Sequence, residues 1–253
     1  MRSLSVVIPA LNEVENIPAV MASIPVDELA RRGWATQIVV VDNGSTDGTR
    51  DAAAALGARV VHEPVRGYGN AYRAGLAVAE GEVIATGDAD LTYPFEDLPR
   101  LLEVFEDGGL EFMTTDRLSR ENRAAMKFSH LLANHVLSAL GRVLLGHSLR
   151  DSQSGMWLLR SEVWDQIAPR VTAPGMAFSQ EIKFAAALAG FRFAEVPIEY
   201  RERGGRAKLN ALGDGVSNLC HLFALRVRSR REPAPRPVRV PKPTVPADAV
   251  ERV

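Results

Sequence analysis

The sequence predicts an α/β protein of one domain, in which helices sandwich a mostly parallel sheet. Short apolar runs rich in Val and Ile alternate with segments of helical periodicity along the first half of the chain. Runs that are apolar throughout are typical of strands buried on both faces. The chain has 253 residues, of which 46% are hydrophobic, and a formal net charge of −1. This composition suits one large domain and gives no support for binding to nucleic acid.

The first third of the chain alternates strictly between strands and helices. Strands are predicted at Leu4–Ile8, Gln37–Val41, Arg59–His62 and Val83–Ala85. Helices are predicted from Val14 to Ser23, from a cap at Ser45 or Thr46 to Leu56, and from the turn at 66–70 to just before Gly81. Pro9 is expected to end the first strand, because proline has no N–H for the ladder. The loops after parallel strands should gather at one edge of the sheet, where ligands bind.

The second half continues with longer helices. They are predicted at Phe95–Asp107, Ala124–Leu145, Ser179–Ala189 and Ala211–Val227, with a short one from Ser161. Strands are predicted at Leu110–Thr115 and Phe191–Val196, and an apolar run lies at Met156–Leu159. Six prolines fall within the 22 residues from Glu232 onward, too many for a packed core. We therefore expect a folded domain over residues 1–228 and a disordered tail over 229–253.

Two carboxylates follow the fourth predicted strand. Asp88 and Asp90 are spaced i, i+2, so in extended backbone both side chains point to the same side. Like charges held together repel each other and need a cation or a shared proton. Mg²⁺ commonly binds one or two carboxylates together with substrate phosphates. An isolated Asp-x-Asp would indicate only a solvated turn, but motifs elsewhere in the chain favour a site for Mg²⁺ or Mn²⁺.

Three motifs in fixed order carry a resemblance to a known family. They are Ile8-Pro9-Ala10-Leu11-Asn12-Glu13, Val41-Asp42-Asn43-Gly44-Ser45-Thr46-Asp47-Gly48-Thr49 and Asp88-Ala89-Asp90. In this order they resemble family 2 glycosyltransferases with the GT-A fold, which is Rossmann-like. Downstream, Asp151–Gly155, Gly175–Glu181 and Arg203–Leu209 are similar to the branch that contains dolichyl-phosphate mannose synthase and related polyprenyl-phosphate glycosyltransferases. The resemblance covers about Ser3 to Val227.

The resemblance implies a nucleotide-sugar donor, a divalent metal and an inverting transfer. Pro9, Glu13 and Asp42 match positions that line the nucleoside pocket, and Asp88 and Asp90 match the metal and diphosphate motif. The expected nucleotide-sugar-binding residues are Pro9, Ala10, Asn12, Glu13, Asp42, Asn43, Ser45, Asp47, Gly69, Asp88, Ala89 and Asp90. Gly69 belongs to a Gly67-Tyr68-Gly69 loop that a tight strand-to-helix turn explains equally well.

The chain departs from the family pattern at three positions. Asn43 stands where an Asp is usual, and Thr92 stands where the mannose synthases often have a Gln that helps to hold the metal. Ala207 replaces a usual Ser in the basic loop. The first two departures affect the expected base contacts and the expected set of metal ligands.

Cationic residues and two further carboxylates complete the expected site. Arg117, Arg203, Arg206 and Lys208 are expected to bind phosphate, since arginine suits forked phosphate contacts and lysine a point contact. Asp151 and Glu181 are the candidates for a catalytic base, which a hydroxyl acceptor needs and a phosphate acceptor does not. Either carboxylate can instead orient a cationic residue or cap a helix.

The expected acceptor is a polyprenyl monophosphate that receives a hexose from a GDP- or UDP-sugar. A soluble acceptor, such as a phosphorylated metabolite, is the alternative. The 124–145 helix has two interpretations of equal standing: it lies in the plane of a membrane surface, or it packs against the sheet or a second subunit. A single cysteine, no secretory signal and no bilayer-spanning segment lead us to expect a cytoplasmic protein, peripheral at the inner face of the membrane where the acceptor is a lipid.

Overall fold

One sheet of seven strands runs through the part of the chain that the structure describes. The computed structural model describes residues 1–118, 122, 128–145, 149–203 and 218–227. The strands are β1 Arg2–Ala10, β2 Trp34–Asp42, β3 Arg59–His62, β4 Val83–Thr86, β5 Phe112–Asp116, β6 Trp157–Arg160 and β7 Phe193–Pro197. Their order across the sheet is β3-β2-β1-β4-β6-β5-β7. Of these strands only β6 runs against its neighbours, β4 and β5, so the predicted mostly parallel sheet is confirmed.

Helices connect the strands and cover the sheet. They are α1 Ile17–Ser23, α2 Val26–Arg31, α3 Thr49–Ala55, α4 Tyr68–Val78, α5 Leu98–Asp107, α6 Phe128–Leu145, α7 Ser161–Ile167 and α8 Ala177–Leu188. Residues 218–227 are also helical. Short 3₁₀ turns lie at Phe95–Asp97 and Ala168–Arg170. Among the helices described, none combines the length and the apolar character needed to cross a bilayer.

The two larger apolar cores lie on opposite faces of the sheet. Successive residues of β1 alternate between them: Val6 and Ile8 join one core, and Val7 joins the other. The first core contains side chains from α1 and α5, and the second contains side chains from α4, α7 and α8. Helices therefore sandwich the sheet, as the apolar runs predicted.

The first strand is longer than predicted. It continues through Pro9 to Ala10, with Pro9 opposite Val41 of β2. The other neighbour, β4, pairs with β1 only from Leu4 to Val7. Pro9 therefore lies where one side of β1 is free of the ladder, and its missing N–H leaves no gap.

Three further features of the structure were not predicted from the sequence. The six-residue helix α2 was not predicted; Pro25, which follows the first predicted helix, is its N-cap. The cap expected at Ser45 or Thr46 is instead Gly48, which has φ +93°. The run at Met156–Leu159 becomes the antiparallel strand β6, an orientation that apolar composition does not encode. The tail 229–253 and the start of the 124–145 helix lie outside the described residues.

Candidate active site

The carboxyl ends of β1 and β2 carry two loops that are hydrogen-bonded to each other. The backbone N–H of Asn12 donates to Ser45 Oγ at 3.0 Å, and the N–H of Thr46 donates to Asn12 Oδ1 at 2.8 Å. The N–H of Val14 donates to Asp47 Oδ2 at 3.1 Å. The predicted nucleotide-binding residues Asn12, Ser45 and Asp47 are thus brought together, and their side chains hold the two loops in register. Asn12 has φ +52°, a conformation that Asn tolerates better than most residues.

Asp42 lies at the end of β2 and is 2% exposed. Its Oδ1 accepts the N–H of Ser45 at 2.9 Å, and its Oδ2 lies 3.0 Å from His62 Nδ1. Burial opposes ionisation, but the hydrogen bonds from Ser45 and the contact with His62 lower the pKa of Asp42. The carboxylate is thus kept ionised at the edge of the sheet, beside the predicted nucleoside pocket.

Asn43 is oriented away from its neighbour Asp42, into the loop between β3 and α4. Its Nδ2 donates to the carbonyls of Glu63 at 3.0 Å and Val65 at 2.9 Å, and its Oδ1 accepts the N–H of Gly67 at 2.7 Å. An aspartate could not donate the first two bonds. The departure from the family's usual Asp therefore has a local structural reason, and the Asn43 side chain is fully engaged within the protein.

Asp88 lies just beyond β4, among aromatic side chains. Its Oδ1 accepts hydrogen bonds from the hydroxyls of Tyr68 at 3.0 Å and Tyr72 at 3.2 Å. Burial, followed by the charge of Asp90, raises the pKa of Asp88 to about 7. A cation that replaces the proton would therefore stabilise the ionised form of this carboxyl group.

Asp90 is 6% exposed and forms the other half of the pair. Its Oδ1 accepts from the Thr92 hydroxyl at 2.6 Å and from the Thr92 N–H at 3.2 Å. Its Oδ2 lies 3.3 Å from Nη1 of Arg203, whose Nη2 lies 3.3 Å from Glu13 Oε1. Arg203 therefore bridges carboxylates from the β1 loop and the β4 loop. Thr92, the departure from the usual Gln, supports Asp90.

The donor set fits a hard divalent cation that is shared with a substrate. Among the described residues, no group of three or more His, Cys, Asp or Glu side chains is arranged to hold a metal alone. Two carboxylates completed by phosphate oxygens and water are typical of Mg²⁺. In addition, Nε of Arg203 is buried and has no hydrogen-bond partner in the described part of the chain. This buried N–H group needs a hydrogen-bond acceptor, and it lies beside two carboxylates. An anionic substrate that binds together with a cation would supply the acceptor without adding to the negative charge of the site.

Arg117 and Asp151 form a buried ion pair. Nε and Nη2 of Arg117 donate to the two carboxylate oxygens of Asp151 at 2.7 and 3.0 Å, and the Arg117 N–H adds a third bond at 3.1 Å. Nη1 donates to the hydroxyl of Tyr93 at 3.3 Å. Asp151 is 0% exposed and Arg117 is 8% exposed. The fork predicted to bind phosphate thus binds Asp151, a geometry that favours the orienting alternative for Asp151 over a role as base.

Glu181 is also turned inward, within the second turn of α8. Its Oε2 accepts the N–H groups of Thr172 at 2.8 Å and Ala173 at 2.6 Å, and the residue is 1% exposed. These bonds hold the segment before α8. The prediction of a catalytic role for Glu181 stays a prediction, and its contacts favour the alternative in which it fixes a backbone segment.

Lys183 was missed by sequence reasoning. It is 0% exposed, and its Nζ donates to the carbonyls of Asp151 at 3.3 Å, Ser152 at 3.0 Å and Ser154 at 2.6 Å. Burial lowers the pKa of Lys183 to about 7. The sequence offered one signal: Lys183 lies on a largely apolar helix, two residues after Glu181. A lysine in such a position is seldom buried without partners. Lys183 ties the 151–155 loop to α8.

The remaining predicted residues occupy different places. Pro9 and Ala10 end β1, and Ala89 is packed in a core at 2% exposure. Gly69 is packed tightly against the segment before α8, because a Cβ there would lie 2.0 Å from the carbonyl oxygen of Ala173. This packing favours the turn interpretation, and a contact between Gly69 and a nucleotide stays a prediction. Arg206 and Lys208 lie outside the described residues.

Comparisons with known proteins agree with this fold. The model of glycosyl transferase family 2 matches residues 5–167. A dolichyl-phosphate hexose transferase of Haloferax volcanii is 32% identical and matches 85% of this chain and 90% of its own. An undecaprenyl-phosphate mannosyltransferase of Micrococcus luteus is 30% identical and matches 87% of this chain and 93% of its own.

A solved structure shows the same architecture. Glucosyl-3-phosphoglycerate synthase from Mycobacterium tuberculosis, in complex with Mn²⁺, uridine diphosphate and glucosyl-3-phosphoglycerate, superposes with a TM-score of 0.66. It is 28% identical, and the match covers 89% of this chain and 80% of that one. The family model spans more than half of this chain, and the named relatives cover most of it. The chain therefore belongs to glycosyl transferase family 2 and is a glycosyltransferase.

Proposed function

We propose that this glycosyltransferase moves a hexose from a GDP- or UDP-sugar to a polyprenyl monophosphate, with inversion at the anomeric carbon and with Mg²⁺ or Mn²⁺ at Asp88 and Asp90. The observation that carries the proposal is the pair of carboxylates at the carboxyl end of β4, one of which Arg203 bridges to Glu13 of the β1 loop. Two relatives named for polyprenyl-phosphate hexose transfer support the acceptor.

The donor site is proposed to span the β1, β2 and β4 loops. Asp42, kept ionised beside Ser45, would accept hydrogen bonds from a nucleobase or ribose. Asp88 and Asp90 would hold the cation, which neutralises charge on the diphosphate when bound. The buried Nε of Arg203 supplies a donor for a phosphate oxygen. The solved relative with Mn²⁺ and uridine diphosphate supports a donor of this class.

The transfer itself is a single displacement. An acceptor oxygen gives an electron pair to the anomeric carbon while the bond from that carbon to the diphosphate oxygen breaks, and the electron pair leaves with the nucleoside diphosphate. Attack from the face opposite the leaving group inverts the anomeric centre. Negative charge grows on the diphosphate, so a fixed cation such as Arg203 beside it lowers the barrier.

The contacts of the two candidate bases favour a phosphate acceptor. Asp151 is paired with Arg117, and Glu181 accepts backbone N–H groups, and these contacts favour a structural role for both carboxylates. A hydroxyl acceptor needs a base to take its proton. A phosphate monoester is largely ionised at neutral pH and attacks without one.

Exposed apolar side chains support work at a membrane surface. Val136 and Val143 of α6 are 49% and 81% exposed, and Phe223 and Val227 of helix 218–227 are 51% and 50% exposed. Such residues are candidates for contact with lipid where the acceptor's polyprenyl chain is embedded. On this basis we propose that the protein associates peripherally with the inner face of the cell membrane.

A second candidate function uses the same donor chemistry on a soluble phosphorylated acceptor. It is favoured by the likeness to glucosyl-3-phosphoglycerate synthase, whose structure holds glucosyl-3-phosphoglycerate. That acceptor class carries both a hydroxyl and a phosphate, so the second candidate requires a base, and the contacts of Asp151 and Glu181 do not favour either of them for that role.

A donor and acceptor panel tests both candidates. GDP- and UDP-hexoses are incubated with Mn²⁺ and either a short-chain polyprenyl phosphate in liposomes or 3-phosphoglycerate, and nucleoside diphosphate release is measured. Release that requires the polyprenyl phosphate supports the first candidate, and release that requires 3-phosphoglycerate supports the second. Asp88→Asn is the control, and unchanged release by this variant would refute the metal assignment.

A further inference from the structure

Two tyrosines donate to the same oxygen of Asp88. The hydroxyls of Tyr68 and Tyr72 lie 3.0 and 3.2 Å from Asp88 Oδ1. The rings pack edge to face, with centroids 4.8 Å apart. Among the described residues, no hydrogen bond reaches Oδ2 of Asp88, so the two oxygens of this carboxylate are in different surroundings.

The backbone around Tyr68 is built to aim this side chain. A Cβ on Gly67 would lie 2.3 Å from the carbonyl oxygen of Pro174, and one on Gly69 would lie 2.0 Å from that of Ala173. The N–H of Gly69 donates to Pro174 O at 2.9 Å. The two glycines therefore let the start of α4 dock directly on the 173–174 segment, which leaves Tyr68 between them at the carboxyl edge of the sheet. The two glycines of the Gly-Tyr-Gly sequence thus help to place the tyrosine beside Asp88.

Tyr72 is fixed one turn later. It is 0% exposed, and its ring stacks on Phe178 with centroids 5.7 Å apart and an interplanar angle of 3°. Its hydroxyl also lies 3.2 Å from the carbonyl oxygen of Gly155. A Cβ on Gly155 would lie 2.5 Å from the Tyr68 hydroxyl and 3.1 Å from Asp88 Oδ2. Gly155 therefore gives the two phenols and the carboxylate the room to meet.

We propose that Tyr68 and Tyr72 are positioning residues for the cation site, holding Oδ1 of Asp88 so that its remaining oxygen is presented to the metal. This inference rests on the proposed function, in which Asp88 binds Mg²⁺ or Mn²⁺. Neutral donors suit the task, because they stabilise a carboxylate without supplying a charge that repels the incoming cation. A lysine or arginine in the same place would compete with the metal.

Phenylalanine variants separate positioning from packing, because they keep the rings and remove only the hydroxyls. We compare Tyr68→Phe, Tyr72→Phe and the double variant with the wild-type protein. Tyr93→Phe is the matched control: Tyr93 is 3% exposed, and its hydroxyl bonds to the N–H of Gly155 and to Arg117 instead of Asp88. Thermal unfolding of each variant shows whether it is folded.

The direct readout is Mn²⁺ binding in the presence of UDP or GDP, followed by the electron paramagnetic resonance signal of free Mn²⁺. Loss of one hydrogen bond to a charged group should weaken Mn²⁺ binding about tenfold in Tyr68→Phe. The double variant should be weaker still, and Tyr93→Phe should stay within about twofold of wild type. Saturating Mn²⁺ should restore the turnover of Tyr68→Phe to about the wild-type rate, which general loss of structure would not allow.

Two results would overturn the inference, and they are distinguishable. If wild type binds Mn²⁺ and folded Tyr68→Phe binds it equally well, the positioning role is wrong while the proposed function stands. If wild type binds no Mn²⁺ with either nucleotide, the metal assignment fails and the positioning role fails with it. Should Tyr72→Phe unfold, Tyr68→Phe carries the test, because Tyr68 is only partly buried.

Discussion

Replacing Asp151 by asparagine tests whether this carboxylate orients Arg117 or acts as a base. The change keeps the volume of the side chain and removes its charge. In the wild-type protein the two carboxylate oxygens accept four hydrogen bonds, three from Arg117 and one from the N–H of Gln153 at 3.0 Å. The amide introduced in place of the carboxylate would turn an NH₂ group toward the Arg117 fork, which has only donors. Arg117 would then be a buried charge without its partner.

The expected loss of stability is large. Removing one partner of a buried ion pair destabilises a protein by about 3–5 kcal/mol. For a domain of this size, a change of 1 kcal/mol shifts the unfolding midpoint by about 2–4 °C, so we expect a fall of about 10 °C. Burial opposes ionisation of Asp151, but the charge and hydrogen bonds of Arg117 lower its pKa. This stabilisation is therefore present above the ordinary Asp pKa and is lost as the pH falls through the lowered value.

Urea unfolding at pH 7 measures the effect, with Asp97→Asn as the matched control. Asp97 pairs with Arg100 at 2.8 Å on the surface, where the two side chains are 35% and 33% exposed. Loss of that pair should change the free energy of unfolding by about 0–1 kcal/mol. A second arm replaces both buried partners, as Arg117→Met with Asp151→Leu. This double variant should recover much of the lost stability, because a buried ion pair is often replaceable by apolar side chains.

The opposite pattern would refute the reasoning. If Asp151→Asn unfolds within about 1 kcal/mol of wild type but loses catalysis by about a thousandfold, then Asp151 is a base and the pairing seen here is not its main role. That result would also remove the argument for a phosphate acceptor, since the enzyme would then carry a base suited to a hydroxyl.

Three further predictions concern Asn43, Lys183 and Arg203. Asn43→Asp should destabilise the protein by about 1–3 kcal/mol in urea, because two carbonyls would lose their donor; equal stability would refute the local explanation. Lys183→Met should remove the rise in stability that we expect in wild type as the pH increases from about 7, where the folded pKa lies, toward the ordinary lysine pKa. If the midpoint of thermal unfolding of the wild-type protein does not change over this pH range, the prediction is wrong. Arg203→Gln should strengthen Mn²⁺ binding without nucleotide and weaken it with UDP present, because Arg203 occupies Asp90 in the free protein; weaker binding in both states would refute this.

Local patterns were sufficient to predict the scaffold. The apolar run before Asp88 placed the two carboxylates at the end of a buried strand, and the turn residues after β2 placed Asp42 at the same edge. Both inferences need only strand periodicity and the rule that loops after parallel strands share an edge. These residues also occur in the order that is typical of the family, which chance does not easily produce. The family itself is confirmed.

Partner choice over long distances could not be predicted. Arg117 and Asp151 are 34 residues apart, and nothing in either segment shows that each will satisfy the other. The antiparallel direction of β6 decides it, because that strand brings the 151–155 loop to the same edge as the end of β5. Lys183 depends on the same strand, since the carbonyls that bind it belong to this loop. A single reversed strand thus determines the contacts of three charged residues.

The charged side chains at the carboxyl edge of the sheet indicate how a nucleotide-sugar donor would bind. Glu13, Asp88 and Asp90 converge there, and Arg203 contacts two of these three carboxylates. Arg117 and Lys183 are each held by partners of the 151–155 loop. A metal that binds Oδ2 of Asp90 would compete with Arg203, and a displaced guanidinium would need a new anion. A diphosphate arriving with the metal supplies that anion, so we expect metal and nucleotide to bind each more tightly in the presence of the other.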